Sequence, residues 1–407
     1  MRAMFLFVLA GLIGACAVAQ SVEGRNIELK SGAQKSLNVP IPLKYDGPPV
    51  EGLVQVMQKE TGKYAPATVR NGEFVFVPEG AMPGQTLHYV VEVAKGEGQG
   101  QPHVQIKKQE GKDILDVLID DVLFTSYHYS NEWKKPFLWP LNSEGGVTIT
   151  RDYPMDPNGT PKDHPHHKSF WTAYGDVNGV DCWAEGENSG FQHSGEVTFE
   201  PGNAYGWIHA KNTWEDKDHK PILSEEREYR FYATPENGRL FDLFVTFTAD
   251  QGDVKFGDTK EGGIAAYRMR EDMTELKGGV ITNALGDKGE ATNWGKPAAW
   301  SDYSAEIAGV GVRGLTVFDN AANLRYPTSW HVRNYGLNGA NPFGYSYFSE
   351  KEYNKPLMPA NGDYLLKSGE KLNFQYRVFV HSGDAEQAKV ADRFTDYSTP
   401  PKAEWQK

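Results

Sequence analysis

The feature that most constrains this chain is the return of apolar side chains at every second position. Leu372, Phe374, Tyr376 and Val378 alternate with polar residues; Phe241, Leu243, Val245 and Phe247 repeat the pattern, as do Tyr229, Phe231 and Ala233. A period of two collects side chains on one face of a strand, whereas a helix would scatter them around its circumference. The 43 glycines and 24 prolines add turns and leave little room for long helices. The pattern predicts an all-β fold of antiparallel sheets and argues against a doubly wound α/β arrangement.

Along the chain, residues 1–19 carry a single charge at Arg2, an apolar run from Ala3 to Ala15, and Ala17-Val18-Ala19 before Gln20. This is the pattern of a signal peptide, predicting a secreted or periplasmic protein. Ile13-Gly14-Ala15-Cys16 is close to a lipobox, so anchoring through a lipidated Cys16 is the alternative. No transmembrane segment is predicted, since no run approaches the roughly 18 to 20 uncharged apolar residues a spanning helix needs.

Residues 20–98 contain short alternating runs, Glu73-Phe74-Val75-Phe76-Val77 and His88-Tyr89-Val90-Val91-Glu92-Val93, which predict a small immunoglobulin-like β module. A Gly-rich segment follows, with the linker placed at 99–103. Residues 104–397 then form one large unit, long enough for two broad sheets packed face to face. One helix is expected near the end, where Asp384 and Gln387 form a capping box ahead of Ala388, Ala391 and Phe394. Residues 398–407, polar and Pro-rich, are expected to fray.

The net charge of −12 disfavours nucleic acid and anionic membrane surfaces, which need a basic footprint. Beyond the signal only Cys182 remains, which excludes an intramolecular disulfide and a cysteine metal cage. No Walker loop, dinucleotide fingerprint, nucleophile elbow or H-E-x-x-H motif occurs.

Chemistry concentrates in residues 162–185, which hold three histidines, four acids and four aromatic rings. In Asp163-His164-Pro165-His166-His167 the proline predicts an extended backbone, so that His164 and His166 face one cavity and His167 points away. Asp163 is positioned to hold one imidazole in a chosen tautomer. A divalent metal on His164 and His166 is an alternative, with His193, His209 or His331 as a third ligand. In Gly175-Asp176-Val177-Asn178-Gly179-Val180-Asp181 the Asn-Gly pair reads first as a hairpin turn, leaving Asp176 or Asp181 to reach a ligand. Glu261, before Gly262 and Gly263, is a candidate acid or base. Arg333, in Trp330-His331-Val332-Arg333-Asn334-Tyr335-Gly336, is a candidate clamp for carboxylates or hydroxyl pairs. Trp171 and Trp183 offer faces on which a sugar could stack, whereas Trp294, Trp300 and Tyr303 read as core.

These motifs occur in order with Lys135-Pro136-Phe137, Trp139-Pro140-Leu141, Val147-Thr148-Ile149-Thr150-Arg151-Asp152-Tyr153-Pro154 and Ala340-Asn341-Pro342-Phe343-Gly344. Together they resemble the bacterial secreted domain family labelled PmoA-like, over about residues 105 to 397. Lys168 and Cys182 stand where that pattern leads one to expect Arg and a larger apolar residue. The resemblance implies a β-supersandwich similar to galactose mutarotase and a setting of polysaccharide degradation. Methane oxidation, which the label suggests, is rejected because that chemistry belongs to an integral membrane copper enzyme. The expectation is a carbohydrate-active enzyme, a hydrolase, lyase or epimerase, with His164, His166 and Glu261 as acid–base groups. Asp163, Trp171, Asp176, Asp181, Trp183, His331 and Arg333 are then expected to hold substrate. A non-catalytic glycan-binding protein and a histidine-based metalloenzyme are the rival readings.

Overall fold

The computed structural model describes residues 21–94, 100–234, 238–351 and 354–406. The signal-like segment with Cys16, and Lys95–Gln99 of the Gly-rich segment, lie outside the described residues. Among those described, no helix is long and apolar enough to cross a membrane.

The N-terminal β module is one seven-stranded antiparallel sheet. In space its strands run Ile41–Lys44, Glu73–Phe76, Tyr64–Arg70, Leu53–Gln58, Thr86–Ala94, Asn26–Lys30 and Lys402–Gln406. The predicted alternation holds, with Leu87, Tyr89, Val91 and Val93 buried at every second position, and the sheet rolls around a core that includes Ile27, Val56, Phe74 and Phe76.

The seventh strand corrects the expectation of a frayed tail. Residues 402–406 pair with Asn26–Lys30, Leu29 opposite Ala403, and cover an edge that would otherwise present unpaired backbone. Trp405 packs edge-on against Phe74 at 5.0 Å and donates its indole N–H to the Lys44 carbonyl at 2.8 Å, joining the two ends of the rolled sheet.

Most of the rest is a sandwich of two eight-stranded antiparallel sheets, and a separate two-stranded sheet pairs Val254–Phe256 with Tyr364–Leu366. The front sheet runs in space Trp330–Val332, Leu337–Ala340, Gly262–Arg268, Phe170–Tyr174, Phe137–Leu141, Val122–His128, Ile114–Ile119 and Val104–Lys108. The back sheet runs Phe191–Glu200, Tyr205–Glu215, Pro221–Tyr232, Gly238–Thr248, Lys371–Ser382, Gly311–Asp319, Trp300–Ile307 and Val280–Asn283. The alternating runs read from sequence lie side by side: Leu243 faces Tyr376, Val245 faces Phe374 and Phe247 faces Leu372. Their side chains join the main core with Phe170, Tyr174, Ile264 and Tyr267 from the front sheet.

A smaller core, with Val75, Tyr205, Tyr232, Phe318, Phe379 and Val390, fixes the N-terminal module to the back sheet. Arg70 stacks over Trp207 at 3.3 Å, and Arg230 pairs with Glu73 at 2.8 Å across the same junction. The capping box expected at Asp384 forms, since Gln387 N donates to Asp384 Oδ1 and Asp384 N to Gln387 Oε1. The regular helix nevertheless starts only at Val390, because Lys389 adopts φ +54 and breaks the first turns from the rest.

Trp405→Ala should destabilise the N-terminal module by about 2 kcal/mol, a half-buried share of the usual tryptophan truncation cost. Urea unfolding, with proteolysis mapped to residues 21–94, measures this; an unchanged midpoint would show that the last strand is not part of the folded module.

Candidate functional site

The outer face of the front sheet is where the histidines lie. Strands Phe170–Tyr174 and Gly262–Arg268 are buried along their whole length, so they pack on both faces. Phe170 and Tyr174 point into the sandwich, while Trp171, Ala173, Ala266 and Leu337 point outward and form a second apolar layer with Phe137 and Trp183.

The histidine segment covers this layer and is organised by a buried arginine. Arg151 Nη2 donates to the carbonyls of Pro161 (2.6 Å) and Asp163 (2.9 Å), and Nη1 to that of His164 (3.3 Å). The Asp163 carboxylate pairs with Arg151 and Arg268, each at 3.2 Å, and with His164 Nδ1 at 3.2 Å. Burial works to raise the Asp163 pKa, but Arg268 and Arg151 outweigh it and hold the group below the usual carboxylate range.

The expected division of the histidines is corrected. His167 N donates to the His164 carbonyl at 2.9 Å, so Pro165 lies inside a tight turn, and His164 takes φ +39. Period-two alternation does not apply to a turn. All three imidazoles converge, with ring centroids 4.4 to 5.7 Å apart, and His167, expected to point away, is the buried one. It stacks between His164 and Trp171, and its Nδ1 faces Arg268 Nη1 at 3.1 Å.

Beneath His166 lies a buried ionic cluster. Lys168 Nζ donates to Glu185 Oε2 at 2.8 Å and to the Pro165 carbonyl at 2.9 Å; Lys135 Nζ donates to the Trp183 carbonyl at 2.5 Å and pairs with Glu185 Oε1 at 3.3 Å. Burial works to raise the Glu185 pKa, but the two ammonium groups outweigh it and lower it. Burial likewise lowers Lys168 to about 8. His166 is pushed down to about 3, by burial first and then by the charge of Lys135. Burial, reinforced by His166 and Arg268, holds His167 well below its ordinary value. The histidines over this cluster are therefore neutral bases and donors at neutral pH.

Alongside lies a cleft of about 560 Å³ whose lining includes Lys260, Glu290, Trp294, Arg333 and Tyr347. The Arg333 guanidinium carbon lies over the Trp294 ring at 3.7 Å, and Arg333 pairs with Glu290 at 3.1 Å. Ring contacts link cleft to histidines in both directions. Trp294 meets His331 at 5.1 Å, His331 meets Trp183 at 6.1 Å, and Trp183 meets His167 at 5.4 Å. On the other side His164 stacks on Tyr335 at 5.1 Å, and Tyr335 interacts through its hydroxyl with Arg333. Among the described residues the buried indole nitrogens of Trp171 and Trp183 have no hydrogen-bond partner, and the buried His331 ring lies beside the Gly262 backbone.

Several expected site residues take other places. Trp171 and Trp183 are fully buried, so neither offers a face to a ligand. Asp176 Oδ1 accepts the Gly179 N–H and closes the Asn178-Gly179 hairpin turn, and Asp181 Oδ1 accepts the N–H groups of Trp183 and Ala184. Both carboxylates are committed to turns. Glu261 pairs with Lys260 on the cleft side; among the described residues no hydrogen bond or ion pair joins it to the three histidines, and the acid that acts on His166 is Glu185. His164 and His166 do not present ligand atoms to one point with any third donor among the described residues. His209 instead pairs with Glu226 and stacks on Trp207.

Arg151, Arg268, Lys135, Glu185, Glu290 and Tyr335 were not anticipated. Glu185 ends the histidine-rich stretch itself, and Arg268 shares strand parity with outward-facing Ala266, so both carried a readable signal.

No curated protein matches this chain in sequence. Among solved structures, it is similar to a variant of a glycoside hydrolase family 97 enzyme from Pseudoalteromonas sp. strain K8, at TM-score 0.31 and 12% identity over 69% of this chain and 36% of that one. A family 97 enzyme from the same strain in complex with acarbose gives TM-score 0.28 and 9% identity over 69% and 34%. The chain thus spans about a third of the length of these enzymes. Residues 114–395, which include the histidine turn, the cleft and all of the front sheet but its edge strand Val104–Lys108, match a family described as one of unknown function, DUF6807, and the protein belongs to that family.

Proposed function

We propose that this protein is a carbohydrate-active enzyme, exported from the cytoplasm, that uses imidazole acid–base chemistry on a sugar or glycoside. The observation that carries the reading is the pairing of accessible His164 and His166 with the Arg333–Trp294–Glu290 cleft through continuous ring contacts. A sugar ring presents vicinal hydroxyls, which a guanidinium and a carboxylate can bind in pairs, and C–H faces that suit aromatic rings. His164, oriented through Nδ1 by Asp163, keeps Nε2 free for proton transfer. His166, neutral and half-buried, supplies the second proton site. Hydrolysis, elimination and epimerisation each need such an acid and base on one bound ring. Glu261 has no place in this pair, and Arg333 is the substrate clamp.

Incubation with a glycan panel that includes 3-keto-glycosides, read by mass, should yield a converted product. His164→Ala and His166→Ala should each lower kcat/KM by about 100-fold or more, and Arg333→Ala should act mainly on KM. Full turnover in both histidine variants would sink the acid–base assignment, and a glycan retained unchanged after long incubation would identify a binding protein instead.

The reading also requires neutral buried imidazoles. His331 is held well below its ordinary 6.5 by burial first, then by Arg333 and Lys260. Its folded pKa is depressed, so the unfolded chain takes up a proton that the folded chain refuses, and stability is lost as pH falls below 6.5. His331→Asn removes this proton uptake, so relative to the parent it should gain about 2 kcal/mol between pH 7 and pH 5. Comparing two variants cancels the opposite contributions of Asp319 and Asp396, whose pKa values burial raises to about 7 and about 6. Parallel stability–pH curves would mean that His331 is not a buried neutral imidazole.

A further inference from the structure

We infer that the protein binds one zinc ion at a site distinct from the histidine turn, formed by His193, Glu215 and His219 at an edge of the back sheet. The backbone builds this triad. Glu215 pairs with Phe191 and Thr213 with His193, so all four side chains share one face of the first two strands. His219 comes from the turn that follows, where Asp216 Oδ1 accepts the N–H groups of Asp218 and Lys220 and His219 itself takes φ +63. Its ring stacks on His193 at 5.0 Å with 14° between planes and is backed by Phe191 at 4.5 Å.

The geometry is that of a pre-set ligand group. The Nδ1 atoms of His193 and His219 each lie 3.0 Å from the same oxygen, Glu215 Oε2, and the three donors lie within 4.8 Å of one another. A tetrahedral zinc with bonds of about 2.0 to 2.1 Å has ligand–ligand edges of roughly 3.3 Å, so the two short edges open by a few tenths of an ångström while the stacked imidazoles turn to aim both Nδ1 atoms at one ion. Two imidazoles and one carboxylate are a zinc donor set that leaves one position for water. Solvent can supply that water, since the side chains of His193, Glu215 and His219 are 29, 12 and 54% exposed. Lys134, whose ammonium lies over the Phe191 ring at 4.2 Å, donates to the carbonyls of Gly186 and Ser189.

Tag-free full chain, stripped with chelator and titrated with zinc chloride against a chromogenic competitor, should take up one equivalent. His193→Ala and His219→Ala should each abolish it with an unchanged circular dichroism spectrum, while His164→Ala and His166→Ala should retain it. Uptake below about 0.2 equivalents in the parent chain, or one equivalent surviving in the His193→Ala/His219→Ala double variant, would overturn the site. Both results are independent of whether the histidine turn performs catalysis.

Discussion

The constraint on which the rest depends is that the front sheet must bury both of its faces. One face meets the back sheet in an apolar core of ordinary sandwich type. The other carries Trp171, Ala173, Ala266 and Leu337 outward, and these need a cover. That cover is a polar, turn-rich segment, whose own carbonyls have to be satisfied out of water. Arg151, Lys135 and Lys168 do this, each donating to backbone carbonyls of the loops that it holds. The histidines are brought together by that arrangement.

Its electrostatic consequence is unusual for an acidic protein. Four cations, Lys135, Lys168, Arg151 and Arg268, are buried against two carboxylates, Glu185 and Asp163, in a chain whose net charge is −12. Buried ion pairs contribute little net stability, but removing one partner is costly. The cluster's importance therefore lies in what it does to its neighbours: added to burial, its positive excess keeps His166 and His167 uncharged. An uncharged imidazole next to an acid-oriented one is the arrangement that the proposed proton transfer requires, and the cleft lies beside it.

The strands were legible because alternation is a local property. Residues 241–247 and 372–378 reveal their buried face without any knowledge of partners, and they became neighbours in the same sheet. The Asn178-Gly179 turn was legible for a similar reason, since both positions need positive φ and these residues tolerate it. Residues 402–406 were not, because their two inward side chains acquire meaning only beside the unpaired edge of a strand more than 370 residues earlier.

The same division runs through the site. The sequence by itself determined the all-β class, the alternating faces and the density of reactive groups in residues 162–185, all of which follow from neighbours along the chain. Tertiary structure alone decided that Pro165 sits in a turn, that His167 is the buried ring, and that Glu185 rather than Glu261 is the acid acting on His166. It also decided that Trp171 and Trp183 are floor and not platform. The physical reason is that a loop's conformation and charge state are set by whichever buried arginine, lysine or carboxylate meets its carbonyls and rings, and those partners lie on other strands.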